Sequence, residues 1–554
     1  MSYTIRLSFE EKVSQLEIER AMTIDQILEI WDPEKEKAIV GAILDHQVVH
    51  LNTRIDRDVE LKLLDVRTRN GQLIYERTLS FVFTTACYNL FPTHPVRIEH
   101  SLNNGLYAEF NAELAIDQGR VDLIKAEMNR LIQEDLPIRR LRISMEQMKE
   151  IYEKQQREFR LDLNRDLDLQ EVTISELDEY YDKFYGYLAT RTGVIEKFDL
   201  TFHRPGMILV YPRSEHNFEL PPNVRHEKIA AIFQESERWA KILEISDVFS
   251  LNRQIDKQRI DEIIRISEAL HEKKIAQIAD DICNHPKKRV ILIAGPSASG
   301  KTTFSKRLFI QLRVNERRPL TISLDNYFVD REKTPRDSDG KYNFEALEAI
   351  DIATFNRDLR RLLDGEAVVL PVFDFVEGKR KTGTEATVLE AGQPVVIEGI
   401  HGLNDALTPE IAASSKYKIY VSALTQLNID SHNRIKTTDN RLMRRMVRDV
   451  QFRGASVEQT LGMWPSVRRG EQNYIFPFQE EADAVFNSAL VYEFIFLKNL
   501  LDPQLEKIGP DSVHYAEVKR LRKILYYFQT YTRETAIPNT SILKEFLGGS
   551  CFES

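Results

Sequence analysis

The stretch from Gly295 to Thr302 fits the phosphate-binding pattern GxxxxGK(S/T) at every fixed position. The apolar run Val290–Ala294, typical of a buried strand, precedes it, and apolar residues at helical spacing follow it. In this order of strand, turn and helix, backbone N–H groups face an anion at a helix N-terminus. Lys301 can reach the β- and γ-phosphates, and the hydroxyl of Thr302 is placed to bind Mg²⁺. The pattern predicts a site for a nucleoside triphosphate, and a turn that binds nothing is the alternative.

The elements that must position this stretch are strands and helices in alternation, which predict a three-layer α/β domain with a mostly parallel sheet. Ligands of such sheets bind at the carboxyl ends of the strands. Asp325 and Glu398 directly follow two predicted strands, so both are candidates for the site. The alternatives are that Asp325 caps the next segment and that Glu398 pairs with a buried cation. The predicted strands are residues 290–294, 320–324, 368–370, 395–397 and 418–421.

Four further blocks follow in order: LDNYF at 324–328, PVFDF at 371–375, VIEGI at 396–400 and RLMRRMVRD at 441–449. Together with the phosphate-binding pattern they resemble the uridine kinase and phosphoribulokinase family. The blocks NYIFP at 473–477 and ILKEFLGG at 542–549 extend the resemblance to the long bacterial uridine kinase-like nucleoside kinases. The resemblance implies an ATP- and Mg²⁺-dependent kinase that transfers the γ-phosphate to a hydroxyl of a uridine- or cytidine-like nucleoside or a related small molecule.

The resemblance also implies roles for single residues. Asp325 matches the catalytic base, and Lys301 matches the residue that stabilises charge on the moving phosphoryl group. Thr302 and Glu398 match the residues that serve Mg²⁺. The predicted ATP contacts are Gly295, Ser297, Ala298, Ser299, Gly300, Lys301, Thr302 and Thr303.

The arginine run resembles a lid helix, and arginine suits this role because its fork can hold two phosphate oxygens. Arg441, Arg445 and Arg448 can share one helical face, whereas Arg444 points well away from Arg445. We predict that Arg445 and Arg448 face the phosphates and act in catalysis. A solvated helical face is the alternative.

The acceptor side departs from the family. Gly378 stands where uridine kinases have a histidine that reads the base edge, and Ala455 replaces an expected arginine. A pocket without these polar groups need not hold a pyrimidine in the usual way, because one lost hydrogen bond can change selectivity by orders of magnitude. The acceptor can be a nucleoside, or another sugar or vitamin-like alcohol. The substrate candidates are Phe328, Glu345, Phe373 and Phe375.

The first 66 residues alternate short strands with one helix and predict a β-grasp arrangement. With the blocks LFP at 90–92 and NGLYAEF at 104–110, the N-terminal part resembles the TGS and editing domains of threonyl-tRNA synthetases. The positions of the editing domain's metal ligands are held here by Arg77, Phe81, Phe184 and Leu188. These side chains cannot form a zinc site, so we predict a scaffold without editing chemistry.

Composition bounds the class of protein. A chain of 554 residues is too long to fold around one compact core, so several domains are expected. The net charge of -10 gives no overall attraction for nucleic acid. The cysteines are widely spaced and no apolar stretch is long enough to span a membrane, so we expect a cytoplasmic protein. We also expect a homo-oligomer with a small-molecule acceptor as its main partner. An ATP-switched regulator that binds RNA or the ribosome through its N-terminal domains is the less favoured alternative.

The predicted fold is an α/β kinase domain with a phosphate-binding loop and a mostly parallel sheet, preceded by a β-grasp domain and an α+β editing-like domain. Whether the C-terminal tail folds back over the site is left open by the sequence. The predicted regions are 1–66 (TGS-like domain), 67–225 (editing-like domain without metal and editing residues), 226–285 (helical linker), 286–500 (uridine kinase-like catalytic domain) and 501–554 (C-terminal helical tail).

Overall fold

The structure is a computed structural model. It describes residues 2–9, 12–31, 39–110, 114–155, 171–213, 216–222, 224, 226–337, 340–425 and 427–552. None of the helices in these ranges is long and apolar enough to cross a membrane.

The N-terminal region folds into a five-stranded sheet covered by one helix. Its elements are β1 (Tyr3–Phe9), β2 (Lys12–Ile18), β3 (Met22–Thr23), α1 (Ile24–Trp31), β4 (Gly41–Leu44), β5 (Gln47–Val49), β6 (Arg54–Ile55) and β7 (Val59–Leu64). Ile5 and Leu7 of β1 are buried because alternate residues of a strand face the same side. The order β2-β1-β7-β4-β5, with a parallel β1–β7 pair, is the β-grasp arrangement that the sequence predicts.

The second region has two antiparallel sheets and one long buried helix. Its elements are α2 (Arg69–Leu90), β8 (Val96–Leu102), β9 (Gly105–Phe110), α3 (Gln118–Gln133), β10 (Arg139–Ser144), α4 (Met145–Lys154), β11 (Glu171–Leu177), β12 (Tyr180–Asp182), β13 (Asp199–His203) and β14 (Gly206–Val210). The strand orders are β13-β14-β9-β8 and β10-β11-β12. Hydroxyl side chains of α2 donate to carbonyls of the preceding turn, which satisfies them inside an apolar core.

Three of the four residues at the editing domain's ligand positions lie in an apolar core, whereas Arg77 lies among charged side chains. The rings of Phe81 and Phe184 pack edge to face with centroids 5.2 Å apart, and Leu188 belongs to the same buried cluster. The guanidinium of Arg77 donates to the carbonyl of Tyr187 at 3.4 Å. Within the described residues, no group of three or more His, Cys, Asp or Glu side chains could hold a metal ion. Phe81, Phe184 and Leu188 therefore contribute packing to the core of the region.

Three helices lead from this region to the C-terminal half of the chain, residues 286–554, which contains the predicted catalytic domain (the catalytic half). They are α5 (Glu227–Leu243), α6 (Val248–Asp256) and α7 (Ile260–Asn284). Isoleucines recur on one face of α7 at positions 260, 263, 264, 275, 278 and 282, and all of them are buried. This amphipathic stripe packs the linker onto the helices of the catalytic half.

The catalytic half is built on a parallel sheet flanked by helices, which confirms the predicted fold class. Its elements are β15 (Val290–Ala294), α8 (Lys301–Val314), β16 (Leu320–Ser323), α9 (Ile352–Leu363), β17 (Val368–Asp374), β18 (Lys379–Thr387), β19 (Val395–Glu398), β20 (Lys416–Ser422), α10 (Thr437–Phe452), α11 (Val457–Tyr474) and β21 (Ala484–Asn487). The strand order is β16-β19-β15-β20-β21, and every pair is parallel. All residues of β15 are buried, as a strand covered on both faces requires.

One predicted strand pairs differently from the prediction. Residues 368–370 open the antiparallel hairpin of β17 and β18 instead of joining the parallel sheet. The register is irregular between Val369 and Pro371, because proline has no N–H to donate to a ladder and is confined to edges and bulges. The place on the parallel sheet is taken by β21, which the sequence did not indicate.

The C-terminal residues return across the catalytic half. The last helices are α12 (Glu493–Leu505), α13 (Tyr515–Tyr526) and α14 (Lys544–Leu547). Ile542, Leu543 and Phe546 are 0% exposed and share a core with Phe304 of α8. The tail therefore folds back onto the phosphate-binding helix, which answers the question that the sequence left open.

The segment 427–436, between β20 and α10, joins the two halves of the chain. The backbone N–H of Ile98 donates to the carbonyl of Ser431 at 2.8 Å. The ammonium group of Lys436 lies 2.6 Å from the carboxylate of Glu76. Because this segment runs directly into α10, the N-terminal half supports the start of α10.

Candidate active site

The phosphate-binding loop joins β15 to α8 and needs glycine at two positions. Gly300 has a φ of 82°, a left-handed conformation that costs other residues about 1–2 kcal/mol. A Cβ atom at Gly295 would lie 1.9 Å from the carbonyl oxygen of Val421, so the loop runs against β20. The loop ends in the first turn of α8, where N–H groups and the helix dipole favour an anion.

Three side chains of this loop have few or no hydrogen-bond partners in the described part of the chain. Within the described residues, Lys301 donates one hydrogen bond, to the carbonyl of Pro296 at 3.3 Å. Thr302 is exposed at the mouth of the loop. The hydroxyl of Ser299 is buried and has no hydrogen-bond partner in the described part of the chain. These donors fit the oxygen atoms of a triphosphate.

Thr303 is engaged by the C-terminal tail. Its backbone N–H and its hydroxyl donate to the carboxylate of Glu545 at 3.2 and 2.9 Å. A Cβ atom at Gly300 would lie 2.4 Å from Ile542, so the tail also contacts the loop directly. A carboxylate thus bonds to donors in the helix turn that faces a phosphate.

Asp325 and Glu398 follow the neighbouring strands β16 and β19 and lie in the same cleft. Ser323 is opposite Glu398 in the parallel register, and Asp325 comes two residues later in a short 3-10 turn. The Asp325 carboxyl reaches solvent, yet protein surrounds it on most sides, and this desolvation raises its pKa against the charge of Lys301. Burial raises the pKa of Glu398 to about 7, Lys301 opposes the shift and Asp325 adds to it. The three groups therefore act on one another electrostatically.

Two arginines of α10 lie over the loop. The guanidinium of Arg445 donates to the hydroxyl of Ser297 at 2.8 Å. Arg448 lies 3.5 Å from Glu545, and its charge also lowers the pKa of both strand-end carboxylates. Burial lowers the pKa of Arg448 to about 10. Both arginines are close enough to the loop to meet phosphate oxygens.

The other two arginines of α10 hold the loop in place. Arg441 forms a buried ion pair with Glu471. Arg444 donates to the carbonyl of Ser488 at 2.8 Å, and the hydroxyl of Ser488 donates to the carbonyl of Ser299. Of these four arginines, Arg445 and Arg448 thus lie at the phosphate loop, whereas Arg441 and Arg444 are buried and support it.

The charge of the cleft fits ATP and Mg²⁺. Burial raises the pKa of Glu345 to about 7, and repulsion from Glu471 adds to the shift. With Asp325 and Glu398, this makes three carboxyls whose pKa values are raised by burial even though Lys301 opposes the shift of each. Mg²⁺ in such sites is held by one or two protein oxygens and by phosphates, so Thr302 and Glu398 would hold it.

Phenylalanines line the acceptor side next to Asp325. The ring centroids of Phe328 and Phe373 are 5.7 Å apart, and those of Phe373 and Phe375 are 5.1 Å apart, both edge to face. The side-chain oxygen of Asn326 accepts from the N–H of Phe373 at 3.2 Å. This bond ties the β17–β18 hairpin to the turn that carries Asp325.

Gly378 lies in the turn between β17 and β18, in a conformation that other residues avoid. Its φ is 67°, and a Cβ atom there would lie 2.8 Å from Nε of Arg331. The guanidinium of Arg331 also donates to the carbonyl of Phe375 at 2.7 Å. Arg331 therefore takes the space in which the resemblance places a histidine. At the other departure, Ala455 donates its N–H to the carbonyl of Asp449 at 3.1 Å and brings no charge.

The sequence did not indicate three residues that contact the loop: Glu471, Ser488 and Glu545. Glu471 accepts from the backbone N–H of Ser297 at 3.1 Å. The sequence contains no pattern that predicts this contact, because a glutamate on a polar helix indicates only a solvated face. Glu545 lies in the block ILKEFLGG, and that block was the one pointer to the tail.

Comparison with known proteins identifies the catalytic half. A family model described as Phosphoribulokinase / Uridine kinase family matches residues 290–491. A uridine kinase of Erwinia tasmaniensis is 30% identical over 200 residues, which cover 35% of this chain and 85% of that enzyme. A uridine kinase of Ligilactobacillus salivarius is 29% identical over 206 residues, which cover 37% of this chain and 87% of that enzyme.

The second predicted resemblance is confirmed as well. A threonine–tRNA ligase of Caldanaerobacter subterraneus subsp. tengcongensis is 25% identical over 185 residues. The match covers 33% of this chain but only 29% of the ligase, so it concerns one part of that protein. At 30% identity across 85% of an enzyme, the chain belongs to the phosphoribulokinase and uridine kinase family of ATP-dependent phosphotransferases with an alcohol acceptor.

Proposed function

We propose that this protein transfers the γ-phosphate of ATP to a hydroxyl group of a nucleoside or a related small molecule, with Mg²⁺. The observation that carries the proposal is the meeting of Lys301, Asp325 and Arg448 above the N-terminus of α8. Phosphoryl transfer needs these parts: donors for the phosphate chain, a base for the acceptor and cations for the moving group.

Asp325 accepts the proton of the acceptor hydroxyl, and the oxygen attacks the γ-phosphorus. The bond from that phosphorus to the bridging oxygen breaks, and ADP leaves with the bridging oxygen. Lys301 and the guanidinium groups of Arg445 and Arg448 stabilise negative charge on the equatorial oxygens. Mg²⁺, when bound, neutralises charge on the β- and γ-phosphates. The raised pKa of Asp325 suits a general base, because a carboxylate of higher proton affinity takes the proton more readily.

The acceptor side favours a flat, partly apolar molecule that carries a hydroxyl. Phe328, Phe373 and Phe375 offer ring edges and faces beside the base. Arg331 offers N–H donors where the family has a histidine, so a base carbonyl could be bound by a different group. A nucleoside meets both features, and a sugar or vitamin-like alcohol is the second candidate.

The test is ADP release with ATP and Mg²⁺ and a panel of acceptors: uridine, cytidine, adenosine, ribose and pyridoxal. The variants Lys301→Ala and Asp325→Asn should lose roughly 100- to 10,000-fold in acceptor-dependent turnover, the range for removing a catalytic group. Lys287→Ala and Asp364→Asn are matched controls, because both residues are exposed and lie outside the cleft.

Each outcome selects one function. Turnover with a nucleoside that both variants lose supports the proposal, and turnover with pyridoxal or ribose alone supports the second candidate. If no acceptor stimulates ADP release and a structured RNA binds more tightly with ATP than with ADP, the protein is a nucleotide-switched RNA binder and the proposal is wrong.

A further inference from the structure

A second cavity lies where the helical linker meets both halves of the chain. Its volume is about 620 Å³, within the range of sites that enclose small organic ligands. Helices α5 and α7, strands β8 and β9 and the segment 487–494 line it, and its described lining includes no residue of the loop 295–303. The wall is largely apolar, with Trp239, Leu270, Leu490 and Phe494 among its residues. The cavity is therefore distinct from the phosphate site.

One corner of this cavity is acidic. Glu237 comes from α5, Glu99 from β8 and Glu109 from β9, and the nearest cations are Arg97 and Lys241. Arg97 is already paired with Glu99 at 2.8 Å. Burial raises the pKa of Glu237 to about 7, and repulsion from Glu109 and Glu99 adds to this shift. The titratable and charged groups that face Glu237 are Glu99, Glu109, Arg97, Lys241 and Tyr107.

The opposite wall holds buried polar groups that lack partners. His271 is 1% exposed, and within the described residues neither ring nitrogen makes a hydrogen bond of normal geometry, although the Ala489 carbonyl lies close enough to affect its pKa. Ser267, one helical turn earlier and also on the wall, is 4% exposed and its hydroxyl is likewise unpartnered. Buried polar groups are normally hydrogen-bonded, so these two mark a place for a polar group of a ligand.

We propose that this cavity binds a small organic amine with an aromatic body. The ammonium group lies against Glu237, where it adds positive charge beside three carboxylates. The ring packs between Trp239 and Phe494, and a polar substituent reaches His271 and Ser267. An organic acid is excluded because three carboxylates would repel it, and a neutral molecule gains nothing from the corner.

The site also borders the support of the phosphate loop. Asn487 and Ala489 line the cavity, and Ser488 between them donates to the carbonyl of Ser299. A molecule in the cavity would therefore contact the two residues that flank this bond. The proposal does not rest on the kinase reaction, because binding alone defines it.

The test is calorimetric titration of the full chain at pH 8 with 2-phenylethylamine, 2-phenylethanol and phenylacetate. We expect the amine to bind at least about tenfold more tightly than the alcohol, since a hydrogen bond to a charged group is about twice as strong as a neutral one. Phenylacetate should bind most weakly. At pH 7 the amine should release protons, because its charge lowers the pKa of Glu237, and its affinity should fall between pH 8 and pH 6 as Glu237 takes up a proton.

Two variants and one control locate the binding. Glu237→Gln should abolish the preference for the amine, and Ala240→Trp should fill the cavity and remove binding of both amine and alcohol. Glu227→Gln, on the exposed first turn of the same helix, should change nothing. Equal affinities for amine and alcohol, no binding of the amine at millimolar concentrations, or an unchanged preference in a folded Glu237→Gln variant would overturn the proposal.

Discussion

Replacing Glu545 by glutamine should tighten ATP binding about tenfold. The carboxylate of Glu545 accepts two hydrogen bonds from Thr303, at 3.2 and 2.9 Å, in the first turn of α8. This turn is where the helix dipole and free N–H groups favour the phosphate chain. ATP must therefore displace a negative charge, and glutamine keeps the shape of the side chain while removing that charge.

The magnitude follows from the two kinds of hydrogen bond. Both bonds go to the same carboxylate oxygen, so they count as one contact. A bond to a charged acceptor contributes about 1.5–3 kcal/mol and a neutral bond about 0.5–1.5 kcal/mol, so the variant weakens this contact by about 1–1.5 kcal/mol. That difference is close to tenfold in an equilibrium constant. Full Coulomb repulsion would be larger, but Arg448 lies 3.5 Å from the same carboxylate and offsets part of it.

The assay is calorimetric titration of ATP with Mg²⁺ into the wild type, Glu545→Gln and Glu534→Gln. Glu534 belongs to the same tail but lies 4.0 Å from Lys544 with 41% of its side chain exposed, so its Kd for ATP should equal that of the wild type. Thermal melting checks that α14 stays docked in each variant. If Glu545→Gln is folded and binds ATP with unchanged or lower affinity, the carboxylate supports the phosphate site instead of competing with it.

Three further predictions concern the acceptor, the base and the interface between the two halves. Gly378→His should lower the free energy of unfolding by about 1–2 kcal/mol in thermal melts and give no gain in uridine turnover, because its φ is 67° and Arg331 fills the space. The kcat/KM should fall with decreasing pH through the raised pKa of Asp325, since only the carboxylate accepts a proton, and a profile that stays flat down to the ordinary aspartate value of 3.8 would contradict this role. The pKa of Glu76 is lowered to about 2, because the charge of Lys436 outweighs the opposing effect of burial. The contribution of the Glu76–Lys436 pair to the free energy of unfolding is therefore present above pH 4.5 and is lost towards pH 2. In an acid titration of stability, the Glu76→Gln variant should not show this loss.

The sequence predicted the elements whose signal is local. The phosphate loop and β15 follow from spacing alone, because glycine and apolar runs act within a few residues. Residues 368–370 show the limit of prediction from local patterns. An apolar run predicts a strand but does not name its partner, and Pro371 was the only hint that the strand belongs to a hairpin.

The support of the site could not be predicted, because its contacts join distant positions. Thr303 and Glu545 are 242 residues apart, and Arg441 and Glu471 are 30 apart on different helices. An arginine on a polar helix face has the same sequence signal whether it meets phosphate, as proposed for Arg445, or a buried glutamate. Only the packing of α10, α11 and α14 separates these cases.

The same packing gives a physical reason for the synthetase-like half to be retained. Its α2 carries Glu76, and this carboxylate holds Lys436 at the residue before α10 begins. Helix α10 in turn carries Arg445 and Arg448 above the phosphate loop. The N-terminal half therefore fixes one end of the helix on which the proposed transition-state contacts lie, and Glu545 of the tail meets its other side at Arg448. We therefore expect a shift of either neighbour to move the same arginines and so to change phosphate binding.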